Sequence, residues 1–379
     1  MSPRILVVYY RPKPGGFSHR LQMKMEACLE AGWEVHYLSL APFPIQHPNL
    51  VFHRMPCPFR RWDTPLFWSW YFLWGPFWVL GVGMRVRPHL VSVFSLPYAW
   101  ICGLLRKALG VPVVVFLRSL PNTPLYSFKG KSWAHRIESA IESRALRWSD
   151  FLIANSKTVL DALRQRFPNI QAKTTVLSNH LPEVTIDRPR QRAALIKQYA
   201  VPEEAFIILS TGRLHPGKNL ECLIRAMTQV SDPRAVLLVF GEGEQKEALQ
   251  TLIRSLHLES RVRLAGWSDR LTDLLPGGDL FVLPSLKEGM SNSLLEAMAC
   301  GLPCLVSAIP ENQEVIPSPI QQFPPDRPDM LAERIRQAVT DQEFLENLRR
   351  QTQRAADRYR FNWRDRVVET LRPWIQPVP

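Results

Sequence analysis

The stretch 288–307, "EGMSNSLLEAMACGLPCLVS", sets two carboxylates, Glu288 and Glu296, around a short polar loop in an otherwise apolar segment. On its amino side "DLFVLPS" (279–285) reads as a buried strand, and "LPCLVS" (302–307) reads as the next one. Between them "NSLLEAMACG" (292–301) reads as a short helix, with Gly301 as its stop and Pro303 just beyond. A strand, loop, helix, strand unit of this kind opens its loop at the carboxyl edge of a parallel sheet, beside a helix N-terminus that attracts anions. A carboxylate placed there needs a partner other than the helix end.

The same pattern extends in both directions. Strand-like runs in the first half are "RILVVYY" (4–10), "EVHYLSL" (34–40), "LVSVF" (90–94), "VPVVVFL" (111–117) and "DFLIANS" (150–156). They alternate with helical stretches such as 18–33 and 132–148, and a Gly15-Gly16 turn follows the first strand. The second half repeats the style with "FIILSTG" (206–212), "AVLLVFG" (235–241) and "RVRLAG" (261–266), separated by helices near 219–230 and 244–257. Short apolar runs alternating with helical patterns indicate parallel sheets covered on both faces. Two such series, joined through "SNHLPEVTIDRPRQ" (178–191), predict an α/β protein of two doubly wound, Rossmann-like domains facing each other across a cleft. Neither glycine turn is a GxGxxG, so the dinucleotide fingerprint is missing.

Composition narrows the function. The chain has 379 residues, 46% apolar and 21% charged, which is globular and long enough for two cores. Six scattered cysteines without CxxC pairs argue against a zinc site or a disulfide framework, and favour a reducing, cytoplasmic setting. No signal peptide is evident at the start. The net charge of +13 is uneven, with +14 in residues 1–180 and −1 in the remainder. A basic half suits an anionic partner such as a membrane surface or a phosphorylated substrate, or is simply a soluble basic surface. No nucleic-acid-binding module is recognisable.

From Thr64 to Met84 run 21 uncharged residues, nominally enough for a membrane span. Pro65, Pro76, three glycines and tryptophans along the middle count against crossing. The expectation is a helix lying in the headgroup region beside a basic domain, with a helix buried in the first domain as the alternative.

The second series opens with "STGRLHPGKNLECLIRA" (210–226), where Arg213 and Lys218 flank a Pro216-Gly217 turn and Asn219 begins a helix. A planar guanidinium fork and a mobile ammonium on one strand-to-helix loop suit a diphosphate; a solvated basic turn is the alternative.

"GRLHPGKN" together with the E-x7-E pair of 288–307 resembles the retaining glycosyltransferases of family 4, which have the two-domain GT-B fold. "DFLIANSKTVLDAL" (150–163), "VLSN" (176–179), "FGEGE" (240–244) and "RYRFNWRDRVVETL" (358–371) extend the resemblance over most of the chain. It implies an acceptor-side domain at 1–180, a nucleotide-sugar domain at 181–357, and a C-terminal helix at 358–379 returning to the first domain. It further implies that Glu288 contacts donor-sugar hydroxyls, that Glu296 accepts from the ribose, and that Gly289, Met290, Ser291 and Asn292 meet the sugar and phosphate. Alternatives are a solvated carboxylate for Glu288 and a capping box with Ser293 for Glu296. Arg213 and Lys218 would stabilise the leaving nucleoside diphosphate, and Gly16 would let its backbone approach that group.

No D-x-D occurs, so neither a metal nor another cofactor is expected, and the two cations would stand in for the metal. Many family members carry histidine after the strand matching "VPVVVFL"; this chain has Arg118, which cannot act as a base. His19 is a second, weaker acceptor-side candidate, with a surface histidine as its alternative. The activity so implied is sugar transfer from a UDP- or GDP-sugar to a glycan or lipid-linked acceptor hydroxyl, at the inner face of a membrane. A sugar-nucleotide epimerase of the same fold, a non-catalytic binding module and a transferase acting on a soluble acceptor are the rivals.

Overall fold

The computed structural model describes residues 2–13, 15–120 and 132–375. Residues 121–131, with the end of "FLRSLPN", and the last four residues of the expected C-terminal helix lie outside the described residues. The chain divides into two compact units, one running to Ser178 and resuming at Asn362, the other spanning Asn179–Phe361.

The first unit is built on β1 (Arg4–Val8), α1 (Gly16–Glu30), β2 (Glu34–Ser39), β3 (Leu50–Arg54), α2 (Pro65–Val86), β4 (Leu90–Val93), α3 (Pro97–Leu109), β5 (Val113–Leu117), α4 (Ser132–Arg147), β6 (Phe151–Ala154), α5 (Lys157–Arg166) and β7 (Lys173–Val176). All strand pairs are parallel, in the order β3-β2-β1-β4-β5-β6-β7. The central strands β4, β5 and β6 are buried at every residue, as a sheet covered on both faces requires.

Helix α2 is apolar around its whole circumference. One side, including Phe67, Trp68, Tyr71, Val79 and Val82, is buried. Gly75 and Gly83 let it lie close to α3: a Cβ at Gly83 would sit 2.3 Å from the Leu105 side chain. The other side leaves Leu66, Leu73, Trp74 and Phe77 more than half exposed. Among the described residues no helix is long and apolar enough to cross a membrane.

The second unit contains α6 (Arg188–Tyr199), β8 (Phe206–Thr211), α7 (Leu220–Met227), β9 (Ala235–Phe240), α8 (Lys246–Ser255), β10 (Val262–Gly266), β11 (Leu280–Leu283), α9 (Asn292–Ala299), β12 (Cys304–Ser307), α10 (Pro310–Val315), β13 (Gln322–Phe323), α11 (Pro328–Thr340) and α12 (Gln342–Ala356). Its parallel sheet has the order β10-β9-β8-β11-β12-β13. Successive residues feed opposite cores: Ile207, Leu209, Val236 and Leu238 pack towards α9, whereas Ile208, Leu237 and Val239 pack towards α7 and α11.

The final helix, α13 (Trp363–Leu371), returns to the first unit. Arg364 pairs with Glu26 at 2.7 Å and Glu30 at 2.5 Å on α1, and Trp374 stacks on Phe151 at 4.8 Å. Trp363 is buried, with the Arg20 guanidinium 5.5 Å from its ring.

Candidate active site

In each sheet the strand order reverses once, between β1 and β4 in the first and between β8 and β11 in the second. Loops leaving such a pair of strands diverge to opposite faces and open a crevice at their carboxyl ends. In the second unit those two loops are Gly212–Asn219 and Pro284–Ser291, the segments that carry the charged candidates.

Close backbone approach shapes the first loop. A Cβ on Gly241 would lie 1.9 Å from the Gly212 carbonyl oxygen, and one on Gly243 would lie 2.3 Å from that of Leu214. The chain therefore needs glycine in "FGEGE" so that the β9 loop can lie against the β8 loop, clasped by Leu214 N–H donating to Glu242 O at 3.0 Å. Residues Pro216–Lys218 form one 3-10 turn, whose Gly217 N–H donates to His215 Nδ1 at 2.9 Å. Leu286 N–H donates to Gly217 O at 2.9 Å, joining the two loops directly. Asn219 precedes α7 rather than beginning it. It takes a left-handed φ of 52°, and its amide nitrogen donates to Pro284 O at 3.2 Å and Pro325 O at 2.8 Å.

This clasp brings Lys218 and Glu288 together. Lys218 Nζ lies 2.5 Å from Glu288 Oε1, and the buried Ser285 hydroxyl donates to the same oxygen at 2.6 Å. Ser285 is itself fixed, because Ser307 Oγ donates to its carbonyl at 2.5 Å and Asn312 Nδ2 donates to Ser307 Oγ at 2.9 Å. Arg213, on the same loop as Lys218, is exposed and sits 3.7 Å from Glu244. Behind the pair lies Glu311, only 6% exposed; burial raises its carboxyl pKa and the Glu288 charge adds to the rise. The arrangement offers a cation, a carboxylate fixed by a hydroxyl, and an exposed guanidinium within two adjoining loops.

Helix α9 is capped by Ser291, whose hydroxyl accepts from Leu294 N–H. The capping box between Ser293 and Glu296 therefore does not form, since Ser293 lies inside the helix and Glu296 beyond its first turn. Glu296 is half-buried on α9, and Met290 is buried at the base of the loop. Asn179, fully buried, donates through Nδ2 to Asn292 Oδ1 at 2.8 Å and so is itself anchored to the same loop. The sequence alone does not mark Asn179, Ser285 or Glu311 as candidate contacts. Only "VLSN" carried any signal for them.

In the first unit Gly15 takes φ 119° and Gly16 is the first residue of α1. His19 is exposed on that helix. Arg118 follows β5, with its guanidinium 5.9 Å from the Phe94 ring; burial, then Arg20, lowers its pKa to about 9. Lys24 is a buried cation the sequence reading missed, since its place on α1 looks like an ordinary amphipathic position. Its ammonium donates to Ser92 Oγ at 2.8 Å beside Phe94 and Phe116, and burial lowers its pKa to about 7. Among the described residues no group of three or more His, Cys, Asp or Glu is placed to hold a metal ion.

Two family models match the chain: "Glycosyl transferase 4-like domain" over residues 15–180 and "Glycosyl transferases group 1" over 191–355. The chain is 27% identical over 299 residues to the N-acetyl-alpha-D-glucosaminyl L-malate synthase of Bacillus anthracis, covering 74% of each chain. It is 34% identical over 179 residues, 47% of each chain, to the N-acetylgalactosamine-N,N'-diacetylbacillosaminyl-diphospho-undecaprenol 4-alpha-N-acetylgalactosaminyltransferase of Campylobacter jejuni. Across such relatives the aligned stretches span between 29% and 74% of their own length, so their whole activities do not carry over. Anabaena HepE, solved with UDP, shares the fold at a TM-score of 0.77 and 19% identity, over 98% of this chain and 100% of that one. With two parallel-sheet units in this topology and both halves matched, the chain belongs to the GT-B glycosyltransferases of the family 4 type.

Proposed function

We propose that this glycosyltransferase is retaining and metal-independent, and that it takes its sugar from a nucleotide-sugar donor bound by the second unit. The observation that carries this reading is the Lys218–Glu288 pair, held by Ser285 at the β8/β11 switch point. A donor diphosphate gives Lys218 and the nearby, exposed Arg213 an anionic partner, and the sugar hydroxyls give Glu288 donors to accept from. Glu296 accepts from the ribose hydroxyls, and the Gly289–Asn292 loop with the α9 N-terminus contacts sugar and phosphate. As the bond from the anomeric carbon to the diphosphate breaks, charge grows on the leaving oxygen, where fixed cations stabilise it most. The acceptor oxygen bonds to the same carbon on the same face, and its proton passes to the departing phosphate oxygen.

The acceptor in this reading is lipid-linked, and the enzyme works at the inner face of a membrane. Support comes from the exposed apolar side of α2, from the +14 charge of residues 1–180, and from a relative whose name specifies a diphospho-undecaprenol substrate. Apolar residues enter the headgroup boundary while arginines meet anionic lipid. The test is proton NMR of the product formed from a panel of UDP- and GDP-sugars with a lipid-diphosphate acceptor. An anomeric coupling matching that of the donor is expected. An inverted coupling would overturn the retaining mechanism, and no transfer from any donor would overturn the nucleotide-sugar assignment.

A further inference from the structure

Alongside α2 runs a groove of about 650 Å³, with Met55–Pro58 on one wall and Trp70, Trp74, Phe77 and Trp78 on the other. Its size falls within the range of sites that enclose a small ligand, roughly 300–1,000 Å³. A helix merely resting on a membrane needs one exposed apolar face, whereas this face is matched by a second wall. We propose that the groove binds the hydrocarbon chain of one phosphate-bearing lipid, the acceptor itself, drawn partly out of the bilayer. This rests on the lipid-linked acceptor of the preceding section and deepens it.

The lining selects a hydrocarbon over a peptide. Pro56 and Pro58 have no backbone N–H to offer an extended strand, and apart from the indole N–H groups and the Cys57 thiol the lining side chains carry no polar group. A peptide would bury unpaired amides there, whereas an isoprenoid or acyl chain has none to pair. The surroundings select an anionic headgroup. Arg54, Arg60 and Arg61 flank the first wall in sequence, and Arg85 and Arg87 follow the second. All five are exposed, and among the described residues none pairs with a carboxylate. The one acid in this part of the chain, Asp63, is engaged by Arg11 at 2.7 Å and Lys13 at 3.1 Å. The charge left over is complementary to phosphate.

Cys57 gives a direct readout, because it lines the groove and is the one cysteine of the six that is not buried. The experiment follows the rate of Cys57 alkylation by a maleimide in the full chain, with farnesyl phosphate as the monomeric probe and inorganic phosphate as the control. At ten times its Kd, farnesyl phosphate is expected to slow alkylation about tenfold, in proportion to the unoccupied fraction. Inorganic phosphate is expected to leave the rate unchanged, and Trp74→Ala to weaken protection while nucleoside-diphosphate binding stays intact by calorimetry. Equal protection by both probes would reduce the site to an anion patch. No protection by farnesyl phosphate would overturn the proposal even if sugar transfer were confirmed. Protection that rises with protein concentration alone would place a second copy of the chain in the groove instead.

Discussion

Lys218→Met and Glu288→Gln should separate donor binding from sugar transfer. In the wild-type site Lys218 Nζ lies 2.5 Å from Glu288 Oε1, with the side chains 23% and 10% exposed. Moving the ammonium towards a diphosphate gains a charge-assisted bond of about 1.5–3 kcal/mol but weakens the bond to Glu288, so the net contribution is smaller. Removing it in Lys218→Met should therefore cost about 1–2 kcal/mol of nucleoside-diphosphate affinity, roughly a five- to thirtyfold rise in Kd. Glu288→Gln keeps the shape and an acceptor for the Ser285 hydroxyl, but removes the charge that competes for Lys218. It should leave diphosphate affinity unchanged or improved, while kcat falls because the sugar hydroxyls lose their anionic acceptor. Isothermal titration with UDP and GDP, beside initial rates, reads both quantities. If the two variants weaken nucleotide binding equally, the pair is a structural strut between two loops and the division of labour is wrong.

Gly241→Ala would place its methyl carbon 1.9 Å from the Gly212 carbonyl at a φ of 144°, and should cost more than about 3 kcal/mol; an unchanged urea midpoint would refute the close-approach argument. Activity should survive EDTA, whereas loss reversed by magnesium or manganese would show that a metal is required. Sedimentation with vesicles should need anionic lipid, weaken with salt and drop in a Trp70→Ser/Trp74→Ser variant, whereas equal recovery with neutral vesicles would remove the electrostatic contribution. His36 Nδ1 and His53 Nε2 meet at 2.9 Å beside Glu34, with Arg4 and Arg85 nearby, and burial is the main cause holding both rings below the ordinary imidazole value. Since protons bind the unfolded rings more readily, their contribution is present above about pH 6.5 and lost as pH falls through the folded values. His53→Gln should flatten that loss in denaturant titrations, and an unchanged slope would show that the pair does not contribute.

Strands buried on both faces were readable because their sequences are unbroken apolar runs, as in "FIILS" of β8 and "LFVL" of β11. Strands β3 and β7 were missed because their residues are largely half-buried or exposed, and their mixed polar composition resembles that of loops. The two-residue β13 is too short to carry a pattern. Strand order could not be read at all, since it depends on pairings between distant segments, and that order is what sets Gly212–Asn219 beside Pro284–Ser291. Among the site residues, Glu288 and Lys218 stood out as charges in apolar or glycine-rich settings. Ser285 and Asn179 did not, because a buried serine or asparagine reveals its role only through a partner remote in sequence. Helix α2 left its reading open because an all-round apolar stretch suits a core as well as a membrane surface. The structure buries one of its faces and leaves the other exposed.

In the proposed mechanism the nucleotide of the donor sits at the β8/β11 switch point of the second unit. Amide hydrogen exchange followed by mass spectrometry, with and without saturating nucleoside diphosphate, tests it without assuming which sugar or acceptor is used. Two segments should slow their exchange on binding: residues 212–219, around Arg213 and Lys218, and residues 285–296, from Ser285 to Glu296. Protection that avoids both segments, or none in the presence of any nucleoside diphosphate at saturating concentration, would contradict the account.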